Sequence, residues 1–190
     1  MARLIYAINC SLDGYINDAN GDFDWSEPDP ELHDFFAGLE RSTGTHLYGR
    51  RLHETMAVWH DFYADPAIPP LMRRFAEAWI DTDTIVYSRT IAEPGMPRAR
   101  VLDRFDAAEV AALKDTSERD LSIGGATLAA RALEAGLVDE IVLAVVPVIV
   151  GGGTRALPAG LRLDLELVEH RAFPRGAVLL RYLVRRDGEG

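Results

Sequence analysis

The chain has little that would indicate disulfides or a membrane segment. Cys10 is its single cysteine, which rules out an intramolecular disulfide and is typical of a reducing compartment. The apolar run that starts at Ile141 is interrupted by Pro147 and ends in glycines, so no segment has the length of a membrane span. The chain starts directly on a strand-like segment, without a charged-then-apolar leader. We therefore expect a cytoplasmic protein that has no contact with a membrane.

Positive charge is also scarce. The formal net charge is -10 at pH 7, and Lys114 is the only lysine. Nucleic-acid surfaces need clustered positive charge, so we expect no nucleic-acid partner. The remaining composition is ordinary for a globular domain, with 48% hydrophobic and 26% charged residues. The length of 190 residues fits a single domain, residues 1–190, with a substantial core.

Several motifs of catalytic chemistry are absent. No Gly-x-Gly-x-x-Gly follows the first strand, and no Gly-Lys-Ser/Thr marks a phosphate-binding loop. His53-Glu54 begins like a zinc-protease helix, but Ala57 stands where the second histidine belongs, so we expect no metal site. No Gly-x-Ser-x-Gly is present, which leaves nucleophilic hydrolysis without support.

The hydrophobic pattern predicts alternating strands and helices. Leu4 to Ile8 is typical of a central strand, and Ile141 to Val146 of a strand covered on both faces. One helix should run through Trp59 and end at a proline-rich connection, residues 61–70. Two β-prone runs around Pro174-Arg175-Gly176 indicate a closing hairpin. We therefore predict a three-layer α/β/α fold, with a mostly parallel mixed sheet and a C-terminal antiparallel hairpin.

Three turns share one layout, in which a strand is followed by a polar or glycine-containing turn. They are Gly49-Arg50-Arg51, Ser88-Arg89-Thr90 and Gly124-Gly125-Ala126. In an open parallel sheet such strand ends lie on the same side, where ligands bind. Arginine matches phosphate with its planar fork, and glycine lets phosphate approach backbone N–H groups. Taken singly, each arginine is a solvated surface charge. Taken together, the turns predict a site for a nucleotide with several phosphates.

The first loop and the helix after it supply two candidate carboxylates. Asp13 lies just beyond the first strand, where it could bind a polar heterocycle or donate a proton, and Glu31 could face the same cleft. Equally, Asp13 could stabilise a turn, and Glu31 could be a first-turn helix charge. The run Gly151-Gly152-Gly153 leaves two similar alternatives, a plain turn or a place where a ligand approaches closely.

Together these segments resemble the dihydrofolate-reductase-like superfamily, in particular the reductase domain of the bifunctional riboflavin-biosynthesis deaminase/reductase. The resemblance covers nearly the whole chain and rests on CSLDGYI, LYGRR, VYSRT and DLSIGGATLAARALEAGLVDEIVLAVVPVIVGGGTRAL. It implies hydride transfer from NADPH to a C=N or C=O of a pterin-, pyrimidine- or related heterocyclic substrate. Dihydrofolate reductase and 5-amino-6-(5-phosphoribosylamino)uracil reductase are the activities it suggests. The alternative is a non-catalytic protein of the same fold that binds NADPH or a folate- or flavin-like ligand.

The resemblance also implies roles for particular residues. Gly49, Arg50 and Arg51 would approach the pyrophosphate and the 2′-phosphate of NADPH, and Ser88 and Arg89 would hold the 2′-phosphate end. Gly124 and Gly125 would lie against the pyrophosphate and nicotinamide ribose. The full cofactor-binding set implied is Ala7, Ile16, Gly49, Arg50, Arg51, Ser88, Arg89, Gly124, Gly125, Ala126, Thr127 and Leu128.

The implied reaction centre lies at the other end of the cofactor. Ala7 and Ile16 would flank the nicotinamide, Asp13 would lie near the substrate, and Glu31 would take the place of the folate-binding acid. The chain departs from the family at Leu52, which stands where the family has threonine. Related domains commonly pair, so the resemblance implies a homodimer.

Overall fold

A computed structural model describes residues 1–185, in which strands and helices alternate as predicted. The strands are β1 Leu4–Ser11, β2 Tyr15–Asn17, β3 Thr43–Gly49, β4 Asp83–Tyr87, β5 Ala99–Leu102, β6 Asp120–Gly124, β7 Glu140–Val146, β8 Thr154–Arg155, β9 Leu165–Ala172 and β10 Val178–Val184. The helices are α1 Pro30–Ser42, α2 Arg50–Met56, α3 Val58–Ala64, α4 Pro70–Ile80, α5 Ala107–Thr116 and α6 Ala126–Glu134.

Eight of these strands form one sheet in the order β5-β4-β3-β6-β1-β7-β10-β9. The six strands from β5 to β7 in this order are mutually parallel, and β10 and β9 continue the sheet in antiparallel fashion. Strand β1 lies inside the sheet, with Leu4 beside Leu121 of β6 and Ile5 beside Glu140 of β7. The predicted mixed sheet with its C-terminal hairpin is confirmed. A separate two-stranded ribbon joins β2 to β8.

Helices cover both faces of the sheet, which makes the third predicted layer. Side chains of β1 alternate between the faces. Leu4 and Tyr6 are fully buried in a cluster with residues of α5 and α6. Ile5 is buried on the other side, in a cluster with Leu32 of α1. Helix α4 packs against α1 through a further cluster that includes Trp79. Within residues 1–185, every helix is too short or too polar to cross a lipid bilayer.

The connection predicted for residues 61–70 is wrong in its first part, because α3 continues to Ala64. The aromatic residues explain the difference. The rings of Trp59 and Phe62 lie 5.4 Å apart at i and i+3, and Trp59 also packs at 4.4 Å against Phe75 of α4. This spacing gives the segment an apolar helical face that α4 covers.

Candidate functional site

The three turns singled out from the sequence lie together at one edge of the sheet. Strands β4, β3 and β6 are neighbours and run parallel, so their carboxyl ends face the same side. The register places Gly49 beside Tyr87 and Tyr48 beside Gly124. The turns that follow these strands are therefore adjacent in space, as the sequence pattern predicts.

A cavity of about 230 Å³ opens between these turns. Its walls come from the ends of β3 and β4, the turn after β5 and the start of α6. The residues from the predicted cofactor set that line it are Gly49, Ser88, Arg89, Thr127 and Leu128. The other lining residues are Tyr87, Asp103, Arg104, Phe105 and Arg131. Residues from distant parts of the sequence thus surround one space.

Sequence reasoning missed the contribution of β5 and of the second turn of α6. Asp103 to Phe105 follow β5 and precede α5, so they have the same layout as the recognised turns, in which a polar or glycine-containing turn follows a strand. That layout, with Arg104 in the turn, was the available signal. Arg131 lies four residues after Thr127, so both side chains project from one face of α6. This spacing was also visible in the sequence.

Ser88 organises the turn after β4. Its buried hydroxyl accepts hydrogen bonds from the backbone N–H groups of Thr90 and Ile91, both at 3.1 Å. The backbone N–H of Ser88 in turn donates to the Leu102 carbonyl of β5 at 2.8 Å. These bonds fix the path of the chain as it leaves the strand. Arg89, the next residue, is exposed and lines the cavity.

Gly124 and Gly125 are glycines for different reasons. A Cβ on Gly124 would collide with the side chain of Leu52 and would lie 3.0 Å from the Tyr48 ring. Gly125 has a φ of +85°, which residues with a side chain rarely adopt. Gly124 is therefore explained by packing, and Gly125 by the backbone turn into α6. Ala126 begins that helix and is buried.

Arg50 and Arg51 begin α2 at the same edge but are not part of the cavity lining. The Arg50 guanidinium donates to both carboxylate oxygens of Glu54 at 2.9 Å, and both side chains are largely exposed. Arg51 is exposed as well. A contact of these two arginines with cofactor phosphates stays a prediction.

The loop after β1 is fastened to the loop after β7 by Asp13. Its carboxylate accepts hydrogen bonds from the backbone N–H of Gly151 at 2.8 Å and of Val150 at 3.2 Å. A hydrogen bond with the Ser11 side chain, followed by these backbone bonds, lowers the pKa of Asp13. Asp13 is therefore an ionised acceptor at neutral pH that holds two distant loops together.

The β2–β8 ribbon strengthens the same junction. The Asn17 side chain accepts a hydrogen bond from the backbone N–H of Thr154 at 2.9 Å. Ile16 is the middle residue of β2 and is half-buried, so its position depends on this ribbon. Ala7 lies on β1 and packs against the cluster that contains Leu32. The contacts of Ala7 and Ile16 with a nicotinamide ring stay predictions.

Asp13→Asn should remove a pH-dependent part of the stability. The ordinary pKa of an aspartate is about 3.9, and that of Asp13 is lowered in the folded protein. Such a carboxylate stabilises the fold fully above the unfolded-state pKa, and this contribution disappears as the pH falls through the folded-state pKa. Melting temperatures of wild type and Asp13→Asn should therefore differ at pH 7 and converge in acid. A difference that does not change with pH would contradict this interpretation.

Glu31 lies in different surroundings. It accepts a hydrogen bond from Arg171 of β9 at 2.7 Å, and both side chains are about half exposed. The pair lines a second cavity, of about 350 Å³, together with a similar pair, Asp34 and Arg74, at 3.0 Å. Asp13 is thus bound to the loop after β7, whereas Glu31 is bound to β9. The catalytic role of either carboxylate stays a prediction.

Cys10 is the remaining reactive side chain near the end of β1. It is buried, and burial raises the pKa of its thiol to about 11, so the thiol is protonated at neutral pH. It therefore packs as a small apolar side chain. Among residues 1–185, no group of three or more His, Cys, Asp or Glu side chains is placed to hold a metal ion.

The architecture is a three-layer α/β/α fold with a cavity at the strand ends, and solved structures of riboflavin-biosynthesis proteins share this fold. Residues 2–179 match the model of the RibD C-terminal domain, and the chain belongs to this family. The uncharacterized protein YyaP of Bacillus subtilis (strain 168) is 29% identical over 182 residues, which cover 95% of this chain and 94% of that one.

Solved structures share the fold over nearly the whole chain. A Shewanella sp. PV-4 structure, described as a riboflavin biosynthesis protein, has a TM-score of 0.74 and 23% identity, covering 98% of this chain and 100% of its own. A pyrimidine reductase-like protein from Corynebacterium diphtheriae has a TM-score of 0.67 and 14% identity. The match covers 98% of this chain and 93% of that one. RibD of Acinetobacter baumannii has a TM-score of 0.64 and 18% identity. The match covers 98% of this chain but only 59% of that one, so this chain spans little more than half of that protein.

Proposed function

We propose that this protein is an NADPH-dependent reductase that acts on a C=N or C=O bond of a pterin-, pyrimidine- or related small heterocyclic substrate. One observation carries the proposal: Gly49, Ser88 and Arg89 surround one cavity at the strand ends of a RibD C-terminal domain. The Corynebacterium relative is named as pyrimidine reductase-like, which makes a pyrimidine the first substrate class to test.

The residues of the cavity suit the phosphorylated adenosine end of the cofactor. Arg89 offers an exposed guanidinium, and Ser88 and Thr127 contribute hydroxyls. Gly49 has open space where a side chain would be, so a phosphate can approach the backbone there. Ser88 and Arg89 would hold the 2′-phosphate, and Gly49 would face the pyrophosphate.

Bound NADPH would supply the hydride, and the residues of the chain would position the nicotinamide and the substrate. Ala7 and Ile16 would flank the nicotinamide, with Ile16 held by the ribbon of β2 and β8. Positioning the two reacting carbons in contact accounts for a large part of the rate gain in such reactions. The contact of Asp13 with Gly151 therefore matters to function, because it orders the loop that precedes Ile16.

The proton that accompanies the hydride is assigned to Asp13 or Glu31. The surroundings of these two carboxylates also bear on a second candidate function, binding without catalysis. Asp13 is held ionised by its loop contacts, and Glu31 is paired with Arg171. A carboxylate with a lowered pKa is a poor proton donor at neutral pH, so the state of Asp13 favours a protein that binds NADPH or a folate- or flavin-like ligand without turnover. If the protein is a reductase, Glu31→Gln should slow turnover and leave the Kd of NADPH unchanged.

Cofactor binding and turnover can be measured separately. The purified protein is titrated with NADPH and with NADH by cofactor fluorescence, and NADPH oxidation is then followed with dihydrofolate, ribosylaminopyrimidine and quinonoid compounds. Failure of both nucleotides to bind below millimolar concentration would exclude the reductase. Binding of NADPH with no oxidation by any of these compounds would support the non-catalytic alternative.

Arg89→Ala should weaken NADPH binding about tenfold or more and leave NADH nearly unaffected. A hydrogen bond to a charged group contributes about 1.5–3 kcal/mol, and 1.4 kcal/mol corresponds to tenfold in Kd. Dissociation constants of both nucleotides for wild type and variant give the comparison. Arg175→Ala is a matched control, since Arg175 is an exposed arginine on the distant hairpin turn. Equal losses of affinity for NADPH and NADH would show that Arg89 does not contact the 2′-phosphate.

We also propose that the protein forms a homodimer in the cytoplasm. Leu165, Leu167 and Val178 lie on one face of the β9–β10 hairpin and are 37%, 48% and 38% exposed. This face is opposite the one that α1 covers through Leu179. A second copy can cover such a patch with the same patch under two-fold symmetry. Sedimentation velocity on the wild type and Leu167→Asp should show a dimer and a monomer, respectively; a monomeric wild type would exclude the pairing.

A further inference from the structure

Tyr6 carries a hydroxyl into an apolar part of the core. It lies on β1 and is fully buried in a cluster that includes Leu121, Ile123 and Leu133. A phenylalanine would fill nearly the same space, so the hydroxyl needs a separate explanation. It donates a hydrogen bond of 2.8 Å to the backbone carbonyl of Ala156, which lies 150 residues further along the chain. Burial raises the pKa of Tyr6, so the hydroxyl is protonated and can donate at neutral pH.

Ala156 is bound through both of its backbone groups. Its N–H donates to the carbonyl of Gly14 at 2.9 Å, and its carbonyl accepts from Tyr6. It directly follows β8, which pairs with β2, and it is buried. Without the Tyr6 hydroxyl, the carbonyl would stay buried and lose this partner, which costs more than the loss of an exposed hydrogen bond. Ala156 therefore joins the core strand β1 to the ribbon of β2 and β8.

This connection lies between the two residues that are proposed to flank the nicotinamide. Ala7 follows Tyr6 on β1 and points to the opposite face of the sheet, and Ile16 is the middle residue of β2. The bonds of Asp13 and Asn17 join one loop to another. The bond of Tyr6 instead starts in the buried core of the sheet. It therefore holds the ribbon that carries Ile16 to the strand that carries Ala7.

We infer that Tyr6 is a positioning residue, whose hydroxyl sets the spacing between β1 and the β2–β8 ribbon and thereby the fit of the nicotinamide between Ala7 and Ile16. The inference rests on the proposed reductase function. Tyr6 acts through the ribbon and does not touch the cofactor. The adenosine end of NADPH, assigned to Ser88 and Arg89, lies at other strand ends and does not depend on this bond.

The test compares a ligand that has a nicotinamide with one that has none. Tyr6→Phe should weaken NADPH binding about threefold to tenfold and shift the emission maximum of the bound, reduced nicotinamide. The affinity for adenosine 2′,5′-bisphosphate should change less than about twofold. A residue that only stabilises the fold would affect both ligands alike and would leave the emission of bound NADPH as in the wild type.

Tyr182→Phe is the matched control. Tyr182 lies two strands from β1, on β10, and faces the same side of the sheet, because both tyrosines are register partners of Ile141. Its substitution should leave both affinities and the emission unchanged. The analogue 4-aminophenylalanine at position 6 keeps the ring and a donor for the Ala156 carbonyl, so it should restore the affinity for NADPH to within about twofold of the wild type.

Thermal melting checks that each variant is folded. If Tyr6→Phe is not, 4-methylphenylalanine at position 6 takes its place, since its methyl group fills the space of the hydroxyl without donating. Unchanged binding and emission of NADPH in the folded variant would overturn the inference and leave the reductase proposal intact. Equal loss of both ligands, or the same effect in Tyr182→Phe, would also overturn it. A wild-type protein that does not bind NADPH would overturn both proposals.

Discussion

Replacing Glu140 by alanine should lower the free energy of unfolding by about 3 kcal/mol. Glu140 is fully buried on β7, where its carboxylate accepts hydrogen bonds from Arg3 at 2.9 Å and from Arg181 at 2.6 Å. Glu140 therefore links β7 to both of its neighbours in the sheet, because Arg3 immediately precedes β1 and Arg181 lies on β10. Removing one partner of a buried pair costs about 3–5 kcal/mol. We expect the lower end, because the two arginine side chains are 46% and 27% exposed and can reach water.

Glu169 is the matched control for this prediction. It contacts the same Arg181 at 3.4 Å, but its side chain is 38% exposed. Exposed ion pairs contribute about 1 kcal/mol or less, so Glu169→Ala should have a small effect. Urea unfolding of both variants and of Glu140→Gln gives the comparison, and the glutamine variant should fall between the two alanine variants. Similar losses for Glu140→Ala and Glu169→Ala would show that burial of this carboxylate does not matter to stability.

Alanine at Gly153 should cost about 2–4 kcal/mol. A Cβ there would collide with the Asn17 carbonyl oxygen and lie 2.8 Å from the Asp18 carbonyl group. All of these are backbone atoms, which cannot rotate away as a side chain can. Gly153 also has a φ of +129°, where L-residues are strained. The sequence left open whether a ligand approaches the three glycines. At Gly153, the atoms that approach closely are backbone atoms of the same chain.

Gly152 provides a control within the same run. A Cβ on Gly152 would have no neighbour within 4 Å, and its φ lies outside the left-handed region. Gly152→Ala should accordingly change stability by less than about 0.5 kcal/mol. Chemical denaturation of both variants measures the difference. If the two substitutions cost the same, the ribbon of β2 and β8 can shift freely, and the contact at Gly153 does not define its position.

The fold could be predicted because its signals are local. The apolar run from Ile141 to Val146, the hairpin around Pro174 and the turns at strand ends each lie within a few residues, and each is confirmed. The pairing of Arg50 with Glu54 was also visible, since residues four apart on a helix are neighbours. The helical segment that ends at Ala64 was missed because the prolines after it outweighed the spacing of Trp59 and Phe62.

The candidate site was less predictable because its contacts join distant parts of the chain. Asp13 has its partners at Val150 and Gly151, so no local pattern distinguishes a proton donor from a residue that holds a loop. Arg104 joins Arg89 only because β5 pairs beside β4. Sequence spacing cannot reveal such a pairing, whereas the order of strands in the sheet can.

The place of β1 in the sheet has a consequence for synthesis of the protein. Both of its neighbours, β6 and β7, are made in the later part of the chain, whereas β3, β4 and β5 follow one another and pair side by side. On the ribosome, β1 therefore emerges well before either of its partner strands. We expect β1 to stay without a paired strand until β6 and β7 have been translated, and an unpaired apolar strand is prone to aggregation in that interval.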